Sequence, residues 1–321
     1  MYHYYNKEYF ITLRRIAIQY ICNNYAYAYF DSMHIKNAQK GTKTIIAGSS
    51  HAMNGIVEEV LGDVINFSAS SQDIYCDFLH IRHAVENGKE KIQNCIINIG
   101  YYMLYQDLSL SRSSLRLMYQ IYQPLFGDMH HHKTDKVYDL WEDIDYDRAL
   151  YSDDLVKALC KEWSRGIFLE QSSYYGFLRS REQENGLVRS GVDWKQIDDA
   201  QRTELAKKRA AVHNHMIKYQ ATREESGQLI REISEYLYDR NIRIIFLIMP
   251  FTEHYNRYIN PNFKEDIYQL LNNLEVPVEL LDMNDLDHVF DHGDFLDTDH
   301  LSLEGAKKAS RLLADYLEQW K

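Results

Sequence analysis

The chain predicts an α/β fold, a parallel sheet of five strands covered by helices on both faces. Three observations carry that expectation. Short apolar runs of strand length, at 44–48, 64–68, 93–100, 242–249 and 278–282, alternate with amphipathic stretches of helix length. The links between them are short, and right-handed crossovers then set the strands parallel. Strand signals vanish between about residues 104 and 221, so the alternation is interrupted once, by a largely helical insertion.

Taken in order, residues 7–30 show helical periodicity and read as an arm laid against the domain or a partner-binding element. The first strand, 44–48, runs into Gly48-Ser49-Ser50, and a helix follows to about Leu61. Gly62-Asp63 turns the chain into the second strand. A helix from about Asp73 to Glu86 ends at Asn87-Gly88, a fitting glycine stop. The third strand, Gln93–Gly100, is a nearly unbroken apolar run. Beyond the insertion, a helix over 222–239 precedes the fourth strand, the most hydrophobic of the set and expected near the middle. A helix at 262–274, the fifth strand, an acidic loop at 284–297 and a helix at 302–319 complete the domain. This is the flavodoxin-like order 2-1-3-4-5, in which ligands bind along the carboxyl edge of the strands. The expected organisation is an arm at 1–41, an α/β domain at 42–104 and 220–321, and a helical insertion or lid at 105–219.

Bulk properties narrow the partners. Over 321 residues, 47 Asp plus Glu outweigh 36 Lys plus Arg, and the formal charge of −11 argues against nucleic acid or an anionic membrane surface. Lys207-Lys208-Arg209 reads as the solvated face of a helix. The 26 tyrosines suit a surface that stacks against sugars or a partner, or simply reflect compositional bias. Four cysteines without CxxC spacing give neither a disulfide framework nor a zinc motif. His130-His131-His132 lacks a ligand partner at a known spacing and reads as a solvated loop. No metal or cofactor is expected. There is no signal-peptide pattern and no apolar run of 18 residues, so a cytoplasmic protein without a membrane span is expected.

The chemistry-bearing stretches lie at opposite ends of the chain. Asp297-Thr298-Asp299-His300 stands just ahead of the last helix, and an acid three residues before a histidine can hold one ring nitrogen while the other points outward. Asp299 or Asp294 could orient the histidine instead. Gly48-Ser49-Ser50 leaves the first strand at the ligand edge and offers a nucleophile, Ser50 or, alternatively, Ser49. Both could equally be a turn and helix cap. His51 reads as a neighbour rather than a second base. Tyr101 and His254, where other strands leave the sheet, are candidates for substrate contact, although a structural histidine is the plainer reading of His254.

With Gly48-x-Ser50 and Asp297-x-x-His300 in place, followed by Leu301 and Gly305, the chain resembles the SGNH, or GDSL-type, serine esterases and acyltransferases. The resemblance covers the α/β frame and implies Ser50 as nucleophile, His300 as base and Asp297 as its orienting acid. Two further family blocks are altered. Asn66-Phe67-Ser68-Ala69-Ser70-Ser71-Gln72 carries serines where glycines stand, and Gly100-Tyr101-Tyr102 lacks the asparagine of Gly-x-Asn. The implied oxyanion hole is then the backbone N–H groups of Ser50 and Ser71, with the Tyr102 hydroxyl in place of the amide. Branches that modify surface polysaccharides and teichoic acids depart at this block. The resemblance therefore implies a carbohydrate or surface-polymer ester as substrate. A catalytically silent scaffold that binds glycan or a protein is the alternative.

Overall fold

The structure, a computed structural model, describes residues 42–88, 91–111, 118, 122, 126–132, 194–286 and 288–318. The N-terminal arm and most of the helical insertion expected from the sequence lie outside these residues. Contacts divide the chain into two compact units, residues 1–35 with 109–177, and residues 36–108 with 178–321. In the first, the turn at His130 has φ 52°, and the His131 N–H donates to Ser109 Oγ at 3.2 Å. The second holds the sheet.

That sheet has five strands: β1 (Thr44–Ala47), β2 (Val64–Asn66), β3 (Asn94–Asn98), β4 (Arg243–Ile248) and β5 (Glu279–Asp282). They lie in the order β2-β1-β3-β4-β5, and every pairing is parallel. This is the predicted architecture. β4 is flanked on both sides, as its apolar sequence requires, but β3 occupies the centre. Strand residues Ile45, Ile46, Ile96, Ile245, Phe246 and Leu247 are all fully buried, as expected of a sheet covered on both faces.

The helices are α1 (Ser50–Gly55), α2 (Glu58–Leu61), α3 (Ile74–Asn87), α4 (Asp199–Asn214), α5 (Gln220–Tyr238), α6 (Glu253–Asn256), α7 (Asn262–Asn272) and α8 (Leu303–Glu318). One layer of the core joins Ile46, Ile96, Ile245 and Leu247 to Ala52 and Ile56 and to Ala309 and Leu313 of α8. The single helix expected from Ser50 to Leu61 is two. Ile56 and Val57 are extended between them, and the Val57 N–H donates to Ser310 Oγ on α8 at 2.7 Å. A hydrogen bond to a packed neighbour replaces the intrahelical one, so the break costs little. Asp73 caps α3 by accepting from the Cys76 N–H, and a capping box of Asp198 and Gln201 starts α4.

Although the sequence reading put α4 in the insertion, this helix belongs to the same compact unit as the sheet. Its buried residues Ala206, Ala210 and His213 recur at helical spacing, and Arg209 shares their stripe. Lys207 and Lys208 are exposed while Arg209 turns inward, so only part of that basic run is a solvated face. Among the described residues no helix is long and apolar enough to cross a membrane.

Candidate active site

Two loops at the carboxyl edge of the sheet build the site. The first is the turn after β1. Gly48 has φ +156°, and a Cβ there would fall 2.5 Å from Asn98 Cβ, so close packing of β1 against β3 demands glycine. The turn sets Ser49 as an extended residue ahead of α1 and Ser50 as the first residue of the helix, half-buried.

The second loop carries the histidine. Phe295 and Leu301 form an antiparallel bridge, and the Leu296 N–H donates to the His300 carbonyl at 2.9 Å. Residues 297–300 are thereby pinched into a tight loop. Asp297 Oδ1 accepts from the Asp299 and His300 N–H groups at 2.9 and 2.8 Å, locking the loop from inside. Beneath it, the first turn of α8 passes so near Asp294 that a Cβ on Gly305 would lie 2.0 Å from the Asp294 carbonyl oxygen. Glycine at 305 is what lets α8 return under the loop. A third anchor comes from Thr252, whose hydroxyl donates to the Thr298 carbonyl at 2.7 Å.

These loops bring together residues 250 positions apart: Ser50 Oγ lies 2.9 Å from His300 Nε2. His300 Nδ1 lies 3.1 and 3.0 Å from the two oxygens of Asp297. The side chain of His300 is 14% exposed, open enough for a reactant and buried enough for its charges to be felt. Burial opposes a charge on this imidazole, but Asp297 and Asp299 outweigh it and raise the pKa from 6.5 to about 9. His300 therefore rests as an imidazolium at neutral pH.

A second chain of contacts runs behind the first. His51 is buried, its Nδ1 3.1 Å from Ser49 Oγ and its Nε2 3.4 Å from Asp299 Oδ2. Its ring stacks on that of His300, with centroids 4.8 Å apart and planes within 10°. Arg209 on α4 grips Asp299 through Nε at 3.1 and 2.9 Å and through Nη2 at 2.8 Å. Asp299 is buried, which alone would favour its neutral form, yet the Arg209 charge holds its carboxyl well below the usual range. Burial keeps His51 and His213 neutral, lowering the pKa of both. Ligand-type atoms of His51, Asp299 and His300 come within 4.8 Å of one another. Asp299 is already saturated by a guanidinium, however, so this set reads as an ion-pair relay and not as a metal centre.

The other expected site residues fall less simply. Ser71 is exposed and has φ 60°, at the third position of a turn closed by the Gln72 N–H on the Ala69 carbonyl at 3.1 Å. Position 71 is where a type II turn wants glycine. The loop sits beside the turn after β1, the Ala69 N–H donating to the Gly48 carbonyl at 3.1 Å. Left-handed backbone costs a β-branched residue most, so Ser71→Val should lower stability by about 1–2 kcal/mol while Ser71→Gly should not. Thermal melting of the two variants checks this. Tyr102 is buried, stacked on His213 at 3.7 Å and edge-on to His51 at 6.2 Å, and burial keeps its phenol protonated. The nearest amide in this block, Asn98, donates to the Leu247 carbonyl and is not a substitute for the missing asparagine.

Two candidates for substrate contact are engaged elsewhere. The Tyr101 hydroxyl donates to Asp282 at 2.8 Å, and only 3% of the residue is exposed. His254 is 2% exposed, with Nε2 2.7 Å from Asp199 Oδ1 and its ring edge-on to Trp194. It fastens the first turn of α4 and contributes to packing. Asp294, the other possible orienter of His300, is bonded to Lys308. Sequence reasoning missed Arg209 and His213. The signal was the spacing of Ala206, Arg209, Ala210 and His213, a stripe of small and polar residues on an otherwise charged helix.

No family model and no curated protein matches the chain. Among solved structures it is similar to one from Streptococcus pneumonia, provisionally described as a platelet activating factor. That likeness covers 91% of this chain and 92% of the other, at 12% identity and a TM-score of 0.43. At that distance the α/β class rests on the sheet itself, and the chemistry rests on the side chains.

Proposed function

We propose that the protein is a serine esterase or O-acyltransferase of SGNH type, with Ser50, His300 and Asp297 as its catalytic residues. The supporting observation is the unbroken chain of contacts from Ser50 Oγ through the His300 ring to the Asp297 carboxylate. With His300 neutral, Nε2 takes the Ser50 proton as Oγ adds to the ester carbonyl. The tetrahedral oxyanion is met by the backbone N–H groups of Ser50 and Ser71, with the Tyr102 hydroxyl as a third donor. Because α1 spans only six residues, the donors matter more here than any helix dipole. Collapse expels the alcohol, which takes the proton back from His300, and leaves an acyl-enzyme. Water or a sugar hydroxyl then gives up a proton to His300 and attacks the acyl carbon, and collapse of the second tetrahedral intermediate expels Ser50 Oγ, which takes that proton back from His300.

A carbohydrate or surface-polymer ester is the proposed substrate class. A silent scaffold would have no need of a paired serine and histidine. In this chain they are in hydrogen-bond reach, half-buried and reachable. Fluorophosphonate labelling with the modified residue mapped tests the proposal. The expected result is a single adduct on Ser50 that disappears in Ser50→Ala. An unlabelled wild type, inert also in acetyl transfer to a sugar acceptor, would replace this reading with the scaffold.

A further inference from the structure

We infer that Arg209 is a positioning residue for His300, acting through Asp299 and His51 so that the imidazole pairs with Asp297 alone. This deepens the reading of His300 as a general base and rests on it. His300 Nδ1 faces two carboxylates, Asp297 at 3.0 Å and Asp299 Oδ1 at 3.7 Å. Two acids competing for one ring nitrogen would leave the ring without a single orientation. Arg209 resolves the competition by taking both Asp299 oxygens, while Thr298 Oγ1 donates to Oδ1 at 2.8 Å. The remaining approach to Asp299 belongs to His51. A neutral His51 with its proton on Nε2 donates to Asp299 and accepts from the Ser49 hydroxyl at Nδ1. That tautomer satisfies both nitrogens and fixes the ring as a flat platform under His300.

The arrangement also balances charge. The groups around His300 are Asp297 and Asp299 on its own loop, Ser50 and His51 on α1, Arg209 and His213 on α4, and Tyr102 after β3. His51 and His213 are kept neutral and Tyr102 protonated by burial, so the fixed charges are two acids and one guanidinium. Removing Arg209 leaves two acids around one imidazole and strengthens its hold on the proton. Removing the charge of Asp299 does the reverse. A purely structural role for the pair would not produce opposite signs.

The test follows the His300 ring by its imidazole NMR signal, assigned with His300→Gln, across a pH titration of the intact chain. Arg209→Met is expected to raise the His300 midpoint by about one pH unit or more, and Asp299→Asn to lower it. Fluorophosphonate labelling of Ser50 at pH 7 should accordingly slow about tenfold in Arg209→Met and recover at high pH. The inference is overturned by midpoints that stay at the wild-type value or shift in the same direction in both variants. Should Arg209→Met fail to fold, Asp299→Asn decides alone: no downward movement sinks it. The NMR readout needs no turnover. A wild type that resists labelling while the midpoints move as stated defeats the esterase reading and leaves the positioning intact.

Discussion

Ser50→Ala and His300→Ala are each expected to lower turnover of a short-chain aryl ester by on the order of 10⁴-fold or more, with the double variant hardly worse than either. In the proposed mechanism the nucleophile and its base act in one proton transfer, so the second deletion has nothing left to remove. A double variant slower by the product of the two single effects would mean that the residues act separately, and the proposed unit would be wrong. Asp297→Asn should fall between. Asp297 accepts two backbone N–H bonds through Oδ1 besides facing the His300 ring. The asparagine can keep the loop closed but cannot stabilise the imidazolium. Thermal melting separates the causes. Ser50 and His300 are only half-buried, and neither belongs to the apolar core. Ser50→Ala should melt close to wild type while losing activity, whereas a fall in its melting temperature that tracks the lost activity would assign it a structural role. His300→Ala is compared above pH 9, where the imidazolium no longer adds to stability.

What could be read beforehand follows from how locally each feature is encoded. The strands could be read because each is a short apolar run bounded by turn residues. Their order followed from chirality and the single interruption. Ser50 and His300 could be read because each sits in a local pattern, a glycine turn after a strand and an acid three residues before a histidine. Arg209 was harder to read, because its spacing with Ala206, Ala210 and His213 marks only a short stripe on an otherwise charged helix. Its inward turn is decided by α4 lying with Ala206 and Ala210 against the fold. In the sequence Asp299 reads as an alternative orienter of His300, and His51 as a neighbour. Their contacts are with each other, with Arg209 and with the His300 ring, and they span up to 249 residues of chain. His254 and Tyr101 erred in the opposite sense. Both stand at the right edge of the sheet, but Asp199 and Asp282 claim their polar atoms and burial closes them off. The edge of an α/β sheet locates a site, whereas side-chain partners decide which residues at that edge remain available.

On the proposed mechanism the rate of acylation should climb steeply with pH, because His300 must lose its proton before it can accept one from Ser50. With the imidazole pKa raised to about 9, only about 1% of the protein holds a neutral base at pH 7. kcat/KM should therefore rise about tenfold per pH unit at first, gaining about 50-fold between pH 7 and 9 and about 100-fold once it levels off above pH 9. Asp297→Asn removes the larger of the two raising charges and should move this limb downward while lowering the plateau, a combination that simple unfolding does not produce. Stability must follow the same proton with its own sign. A histidine whose folded pKa lies above its unfolded value of 6.5 contributes stability that is fully present below pH 6.5 and is lost as the pH rises through about 9. The whole contribution is about 3 kcal/mol. Melting temperature should thus decline across the window in which activity grows, and His300→Gln should flatten both trends. A wild-type profile that inflects near pH 6.5, or that is level from pH 7 to 9, would show that Asp297 and Asp299 do not hold the imidazolium as their distances of 3.0 and 3.7 Å imply.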